Sequence, residues 1–191
     1  DDTEFLTKES QRIDRIIQNM RHLNTNKADI RRQSVHELLD EAKNIMADWA
    51  DQLNVKMELH LDAKDDHSEV DADEMIQALT NLIRNSLQAI KEKPNKDNEK
   101  ILISTKNIND QLLISIKDTG VGIDPEHQKH LFEKQFSTKP QSEGTGIGLG
   151  ISRRFVRQFH GDIELKDSAP GLGCEFVISL PLSEKLKREV A

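Results

Sequence analysis

The sequence predicts an α/β fold, a two-layer sandwich in which a mixed, mostly antiparallel sheet is covered on one face by helices. Helical and strand patterns alternate along the chain, but without the strict regularity of repeated βαβ units, which argues against an all-parallel sheet. The two clearest strand patterns, residues 101–106 and 111–118, flank Asn107–Asp110 and therefore indicate an antiparallel hairpin.

Composition limits the possible classes of protein. The 191 residues are 35% hydrophobic and 32% charged, with a net charge of -7 and one cysteine. One cysteine excludes an internal disulfide framework and a cysteine-rich zinc module. No apolar run approaches the ~18 residues of a membrane span, and the acidic balance argues against a nucleic-acid partner. Residues 62–74 hold seven acidic side chains and one lysine, so most of the negative charge is local.

The first thirty residues differ from the rest. Their apolar positions repeat at spacings of seven, three, four and three, which is typical of one seam of a coiled-coil helix. They are Leu6, Ile13, Ile16, Met20 and Leu23. Such a helix packs either on its own domain or on a partner helix, and the narrow stripe favours the partner. We therefore expect a helical dimerisation segment over 1–31, a catalytic domain over 32–183 and a charged tail over 184–191.

The remaining elements follow in order. The periodicities predict a helix over 34–52, a strand over 55–61, an acidic loop and a second helix from Asp71, its N-cap, to about Ile90. After a turn over 92–100 comes the hairpin. We then expect a short helix around 125–134, a flexible stretch over 137–148, a helix over 148–159 and a last strand over 174–182.

The helix over 71–90 has an apolar stripe and, opposite to it, a stripe of amides. The apolar stripe comprises Leu79, Leu82, Ile83, Leu87 and Ile90. Asn81, Asn85 and Gln88 share the other side. A polar stripe is usually a solvated face. Amide oxygens in place of charged groups would also suit coordination of Mg²⁺.

Asp118 continues the parity of the apolar residues of its strand, so its carboxylate points to the core side. A buried carboxylate needs hydrogen-bond donors. A backbone amide of the following loop or the exocyclic amine of a purine would each serve. Gly120 and Gly122 follow, and we expect them to leave room for the close approach of a flat ring.

A glycine-rich run, residues 144–150, opens the next helix. Backbone amides at such a helix start form an anion site. The run is neither a dinucleotide-binding fingerprint nor a Walker A loop, because no strand leads into it and no Gly-Lys-Ser/Thr follows. Lys139, in the preceding stretch, would be able to reach a terminal phosphate.

Together these motifs resemble the ATP-binding catalytic domain of sensor histidine kinases, which belongs to a superfamily with gyrase, mismatch-repair and heat-shock-chaperone ATPases. Residues 81–89 resemble its asparagine motif, 118–123 its first glycine motif, 131–136 its phenylalanine motif and 144–150 its second glycine motif. The segments Phe159–Leu165 and Gly171–Pro181 also resemble the closing helix–strand units of that domain. The resemblance covers residues 32–182 and implies the Bergerat-type ATP-binding fold.

The resemblance implies a role for each matching position. Asn85 would ligate Mg²⁺, and Asp118 would bind the amine of adenine. Asn81 stands where hydrolysing relatives carry a general-base glutamate, which favours a kinase. Residues 134–147 would form a mobile lid. The other positions implied to bind ATP are Arg84, Gln88, Gly120, Gly122, Ile123, Thr138, Lys139, Gly144, Thr145, Gly146, Ile147, Gly148, Leu149 and Cys174.

Two positions depart from the family's pattern. Cys174 stands where relatives often have threonine or serine near the adenine, and a thiol is a weaker donor than a hydroxyl. Gln88 replaces a lysine that some relatives use near the phosphates, which leaves Lys139 or Arg84 as the cation.

No histidine of the chain makes a good phosphoacceptor. His36 begins the family's acceptor motif, but Leu39 and Asp40 break it and no proline follows. We therefore expect the acceptor helix to be absent from this chain, which alone would not autophosphorylate. The resemblance implies a cytoplasmic domain that uses ATP and Mg²⁺, with a histidine-bearing dimerisation helix, a response regulator receiver domain and a second copy of the full-length protein as partners. A Ser/Thr protein kinase of the same fold and a nucleotide-binding module without catalysis remain alternatives.

Overall fold

The structure is a computed structural model that describes residues 28–95, 97–133 and 147–183. The predicted dimerisation helix therefore lies outside the described residues except for its last four positions. Most of the predicted lid and the whole of the predicted charged tail, 184–191, are also outside them. Five predicted site residues also lie outside the described residues, so their predicted roles stay predictions: Thr138, Lys139, Gly144, Thr145 and Gly146.

The described residues form seven strands and four helices. In chain order they are β1 (Arg31–Ser34), α1 (Val35–Gln52), β2 (Lys56–Leu61), β3 (His67–Val70), α2 (Ala72–Lys91), β4 (Lys100–Ile108), β5 (Gln111–Asp118), α3 (Pro125–Gln128), α4 (Gly148–Gln158), β6 (Asp162–Ala169) and β7 (Gly173–Pro181). A five-stranded sheet has the order β2-β4-β5-β7-β6, and a two-stranded sheet pairs β1 with β3. Only β2 and β4 pair in parallel within the large sheet, so the predicted mixed, mostly antiparallel sheet is confirmed.

One face of the sheet is buried under helices. Along β5 the buried residues Leu112, Ile114 and Ile116 alternate with half-buried ones, and β4 and β7 show the same alternation. The helices α1, α2 and α4 contribute their apolar stripes to the same core, with Leu39, Leu79 and Phe155 fully buried. The buried face of β5 ends at Asp118, which places this carboxylate at the edge of the core.

Two helix starts follow from side-chain capping. The amide of Glu74 donates to Asp71 Oδ1 at 3.0 Å, which confirms Asp71 as the N-cap of α2. Ser34 caps α1 in the same way, with the amide of Glu37 at 3.3 Å from its Oγ. These caps set where the helices begin and hence which residues of α2 face the sheet.

The structure corrects the prediction in three places. Residues Arg31–Ser34 form the strand β1, which was not predicted, and Arg31 falls in the predicted helical segment over 1–31. The predicted acidic loop contains β3, whose Ser68 and Val70 are fully buried, and Ser68 Oγ donates to Pro181 O at 2.7 Å. This strand was not predicted, because its acidic neighbours and its buried serine give no alternation of apolar and polar residues. The short helix predicted around 125–134 ends already at Gln128. No helix of the described residues has the length and apolarity that a bilayer crossing requires.

Candidate functional site

The carboxylate of Asp118 is the centre of the buried end of the site. Its side chain is 1% exposed and accepts hydrogen bonds from four donors. Oδ1 accepts from the amides of Gly120 at 2.8 Å and Cys174 at 3.3 Å. Oδ2 accepts from Ser86 Oγ at 2.9 Å and Cys174 Sγ at 3.1 Å. The prediction that the Asp118 side chain points inward is confirmed. Three elements contact this side chain: helix α2, strand β7 and the loop that follows β5.

Cys174 keeps a contact with Asp118 although its thiol is a weak donor. Burial, and then the negative charge of Asp118, raise the pKa of the Cys174 thiol far above its usual value. The thiol therefore stays protonated and serves as a donor.

The glycines after Asp118 are required by protein packing. A Cβ on Gly120 would lie 2.6 Å from the Cβ of Ala89, on α2. Gly122 has a φ of +73°, and a Cβ there would lie 2.1 Å from the carbonyl oxygen of Ala169. The expectation that the missing side chains of these two glycines make room for a flat ring is thus wrong. Their missing side chains make room for α2 and for the β6–β7 turn.

Ile123 continues this loop. Its amide donates to Ser168 Oγ at 2.9 Å, and its carbonyl accepts from Gln128 Nε2 at 3.0 Å. The side chain is half-buried and packs against the core. The loop is therefore anchored on β6 and α3 at the mouth of the buried end.

The polar face of α2 meets the start of α4. Asn81 Nδ2 donates to Ser152 Oγ at 3.2 Å, and Ser152 Oγ donates in turn to the carbonyl of Gly148 at 2.9 Å. Asn85 lies one turn further along α2 and is half-buried. The structure thus brings the predicted asparagine motif and the second glycine motif together.

Arg84 and Gln88 are the other two polar residues of this helix that the sequence singled out. Both are half-buried, and both take part in interactions within the structure. Gln88 lies three positions after Asn85 and so shares its face of α2, whereas Arg84 immediately precedes Asn85 in the helix.

The N-terminus of α4 presents backbone amides. Ile147 is its N-cap residue and provides no side-chain cap. The amides of Gly148, Leu149 and Gly150 have no acceptor within the helix, as in the first turn of any α-helix. A Cβ on Gly148 would lie 3.8 Å from the carboxamide of Asn81, an ordinary contact distance. Among the described residues, this end of the site therefore has both the amides and the space that an anion needs.

An aromatic and ionic cluster holds α4 on the sheet. The ring of Phe132 meets Phe176 of β7 edge to face, with 6.4 Å between centroids, and the guanidinium of Arg153 lies 4.3 Å from the Phe132 centroid. Arg153 also donates two hydrogen bonds to Asp162, of 2.7 and 2.9 Å. These hydrogen bonds lower the pKa of Asp162 well below its usual value, although burial opposes them.

The sequence interpretation missed three residues of the site. Ser86 and Ser152 supply hydroxyls to Asp118 and Asn81, and Gly173, with a φ of +82°, would place a Cβ 2.0 Å from the carbonyl oxygen of Asp118. Ser86 carries a detectable signal, because it lies three residues after Ile83 and four before Ile90 on the apolar stripe. A hydroxyl at such a position requires an acceptor in the core.

The comparisons with known proteins identify the class. Residues 70–184 match the family described as Histidine kinase-, DNA gyrase B-, and HSP90-like ATPase. The chain belongs to this family, and the resemblance to the ATP-binding domain of sensor histidine kinases is confirmed.

Two relatives make the similarity more particular. The signal transduction histidine-protein kinase AtoS of Escherichia coli (strain K12) is 33% identical over 178 residues, which is 92% of this chain and 28% of AtoS. The sensor protein SrrB of Staphylococcus aureus (strain NCTC 8325 / PS 47) is 32% identical over 187 residues, 92% of this chain and 30% of SrrB. The chain therefore spans less than a third of the length of these curated relatives.

Solved structures of one further protein, the histidine kinase ThkA, share the fold. Its nucleotide-free catalytic domain has a TM-score of 0.69 and 25% identity, over 81% of this chain and 96% of that one. ThkA in complex with response regulator protein TrrA has a TM-score of 0.73 and 21% identity, over 95% of this chain and 50% of that one. The predicted sandwich fold is thus confirmed.

Proposed function

We propose that this chain is the catalytic, ATP-binding part of a sensor histidine kinase. The observation that supports this best is the junction of Asn81, Ser152 and Gly148, which joins an amide-bearing helix to a glycine-opened helix start. An amide at position 81 has no basic lone pair with which to activate water. The site therefore suits transfer of a phosphoryl group to a protein nucleophile better than hydrolysis.

The base of the nucleotide is proposed to bind at Asp118. A buried carboxylate accepts hydrogen bonds and donates none, so it favours a ligand that brings a hydrogen-bond donor. Gly120 and Cys174 contact Asp118 directly, and Gly122 and Ile123 continue the same loop, which supports the assignment of all four to the base end.

The phosphates are proposed to bind between α2 and α4. The amides of Gly148 and Leu149 and the positive end of the α4 dipole favour an anion there. We assign the same end to Ile147, Arg84 and Gln88. For Thr138, Lys139, Gly144, Thr145 and Gly146 the assignment rests on sequence position alone.

Mg²⁺ fits the chemistry of this end. The Asn85 carboxamide presents a neutral oxygen, a ligand type that Mg²⁺ accepts alongside phosphate oxygens. When bound, the ion neutralises charge on the transferring phosphoryl group. Asn85 would hold the ion, and the α4 amides would orient the phosphates.

The reaction forms a bond between an imidazole nitrogen and the γ-phosphorus, and breaks the bond from that phosphorus to the β–γ bridging oxygen. ADP leaves, and the imidazole releases its proton to solvent. A neutral imidazole is nucleophilic near pH 7, so the site needs no general base. Its contribution is positioning and charge stabilisation.

The proposed acceptor is a histidine on a dimerisation helix, and the onward acceptor is a response regulator receiver domain. The ThkA complex with response regulator protein TrrA supports a response regulator as partner. Dimerisation of the full-length protein and a cytoplasmic location, where ATP is supplied, belong to the same proposal.

The test combines nucleotide binding with transfer in trans. The full chain is titrated with Mg-ATP by calorimetry and then incubated with γ-labelled ATP and an isolated histidine-bearing dimerisation hairpin of a sensor kinase. We expect a labelled hairpin whose phosphate is lost in acid and kept in base, as phosphohistidine requires.

The matched control is the same hairpin with its acceptor histidine changed to glutamine, which should remain unlabelled. Acid-stable label would favour a Ser/Thr protein kinase of the same fold. Tight Mg-ATP binding without transfer to the hairpin would overturn the kinase proposal and favour a binding module.

A further inference from the structure

The two oxygens of Asp118 have donors of different kinds. Both donors to Oδ1 are backbone amides, those of Gly120 and Cys174, and they are fixed by the fold. Both donors to Oδ2 are side chains, Ser86 Oγ and Cys174 Sγ, and each turns about its χ1 angle. Since a carboxylate oxygen has about two lone-pair sites, all of the acceptor capacity of Asp118 is in use. A ligand's amine therefore replaces a side-chain donor at Oδ2.

The two side-chain donors are unequal. A hydroxyl is a stronger donor than a thiol, so exchange costs less at Cys174 than at Ser86. Ser86 is also the more deeply placed of the two, 2% exposed against 7% for Cys174. The thiol is therefore the donor that gives way, and the hydroxyl is the one that stays.

We propose that Ser86 is a positioning residue for recognition of the nucleobase, which holds Asp118 Oδ2 in place while an amine of the ligand replaces the Cys174 thiol. This inference rests on the proposed function. It adds a residue adjacent to the proposed Mg²⁺ ligand, Asn85. Base recognition and metal binding would thus depend on consecutive residues of one helix, α2.

The experiment measures discrimination by the full chain between two probes. One is ATP, and the other is purine riboside triphosphate, which is ATP without its 6-amino group. We expect Ser86→Ala to weaken ATP binding about tenfold, because it removes a buried partner of the charged acceptor, and to leave the deaminated analogue within about twofold of wild type. Ser86→Cys keeps a weaker donor, so its affinity for ATP should fall about threefold while its affinity for the analogue should not fall.

Ser115→Ala is the matched control. Ser115 also donates to a carboxylate, Glu175 Oε1 at 2.8 Å, but from the opposite face of β5 to Asp118. Its removal should change neither affinity. Thermal melting of every variant shows whether it is folded, and where Ser86→Ala fails to fold, Ser86→Cys alone decides.

A folded Ser86 variant that keeps the wild-type preference for ATP over the analogue would overturn this inference but not the proposed function. Equal weakening of both probes would overturn it too, since that is the effect of a merely structural role. A wild-type chain that binds neither nucleotide would overturn the proposed function, and the inference with it.

Discussion

The two glycine motifs differ in what takes the space of the missing side chains. At the base end, a Cβ on Gly120 or Gly122 would overlap with other parts of the protein, at 2.6 and 2.1 Å. At the phosphate end, a Cβ on Gly148 or Gly150 would meet its nearest described atoms at 3.8 and 3.5 Å. The first motif is thus glycine-rich because the fold requires it. In the second motif, packing among the described residues does not require glycine. This is what we expect where the space is kept for a ligand.

The largest expected effect is at the base end. Gly173→Ala should lower the free energy of unfolding by about 4 kcal/mol, because a Cβ there would lie 2.0 Å from the carbonyl oxygen of Asp118. Gly171→Ala is the matched control. It has nearly the same φ, +80° against +82°, but among the described residues no atom beyond its chain neighbours lies within 4 Å of the position of an added Cβ. It should cost about 1 kcal/mol, the strain of left-handed backbone. Urea unfolding measures both, and equal losses would contradict the packing explanation.

The next effect concerns ligand binding at the same end. Asp118→Asn should weaken ATP binding about 100-fold or more, because the charged acceptor for the base is lost. The fold should persist. The asparagine oxygen can accept from the two backbone amides, while its NH₂ donates to Ser86 and Cys174, whose oxygen and sulfur accept as well as donate. Calorimetric titration with ATP and a thermal melt test the two statements, and unchanged affinity would refute the assignment of the base to Asp118.

A smaller effect should separate the phosphate end from the base end. Gly148→Ala should leave stability within about 0.5 kcal/mol of wild type, since alanine suits a helix and its Cβ has room. The methyl group nevertheless enters the space between α4 and Asn81, and we expect about tenfold weaker Mg-ATP binding. Adenosine, which has no phosphates, should bind as before. Parallel loss of adenosine and Mg-ATP binding would argue against the division of the site into two ends.

The smallest effect concerns the attachment of α4. Asp162→Asn removes the charge-assisted bonds from Arg153 and should cost about 1 kcal/mol at neutral pH, because the pair is partly exposed. Because the pKa of Asp162 is lowered in the folded state, its contribution is complete above the unfolded pKa of about 3.9 and is lost as pH falls through the lower folded value. The stability difference from wild type should therefore shrink below about pH 4. A difference that stays constant from neutral pH into this acidic range would contradict this ionic role.

Much of the fold could be predicted from sequence because its apolar patterns are regular. The parity of β5 predicted that Asp118 faces inward, and Asp71 as N-cap predicted the start of α2; the structure confirms both. β3 was missed because a strand that buries only Ser68 and Val70 among acidic residues has no apolar pattern to read.

The candidate site was only partly predictable. Residue types indicated which side chains carry chemistry, but the contacts of Ser86 and Gly173 join parts of the chain 32 and about 55 residues apart, which no local pattern encodes. For the same reason the glycines of the first motif received the wrong explanation. Whether a missing Cβ faces a ligand or another part of the chain depends on tertiary packing.

The strand order has a consequence for solubility. β2 and β6 form the two edges of the large sheet, and unpaired edges can recruit strands from other molecules. β6 has a register shift between Leu165 and Asp167, and its intervening Lys166 pairs with Glu175 at 3.0 Å. β2 exposes Lys56 and His60. A bulge on one edge and ionisable groups on both oppose edge-to-edge aggregation. These features of the two edge strands disfavour polymerisation of the domain through its sheet.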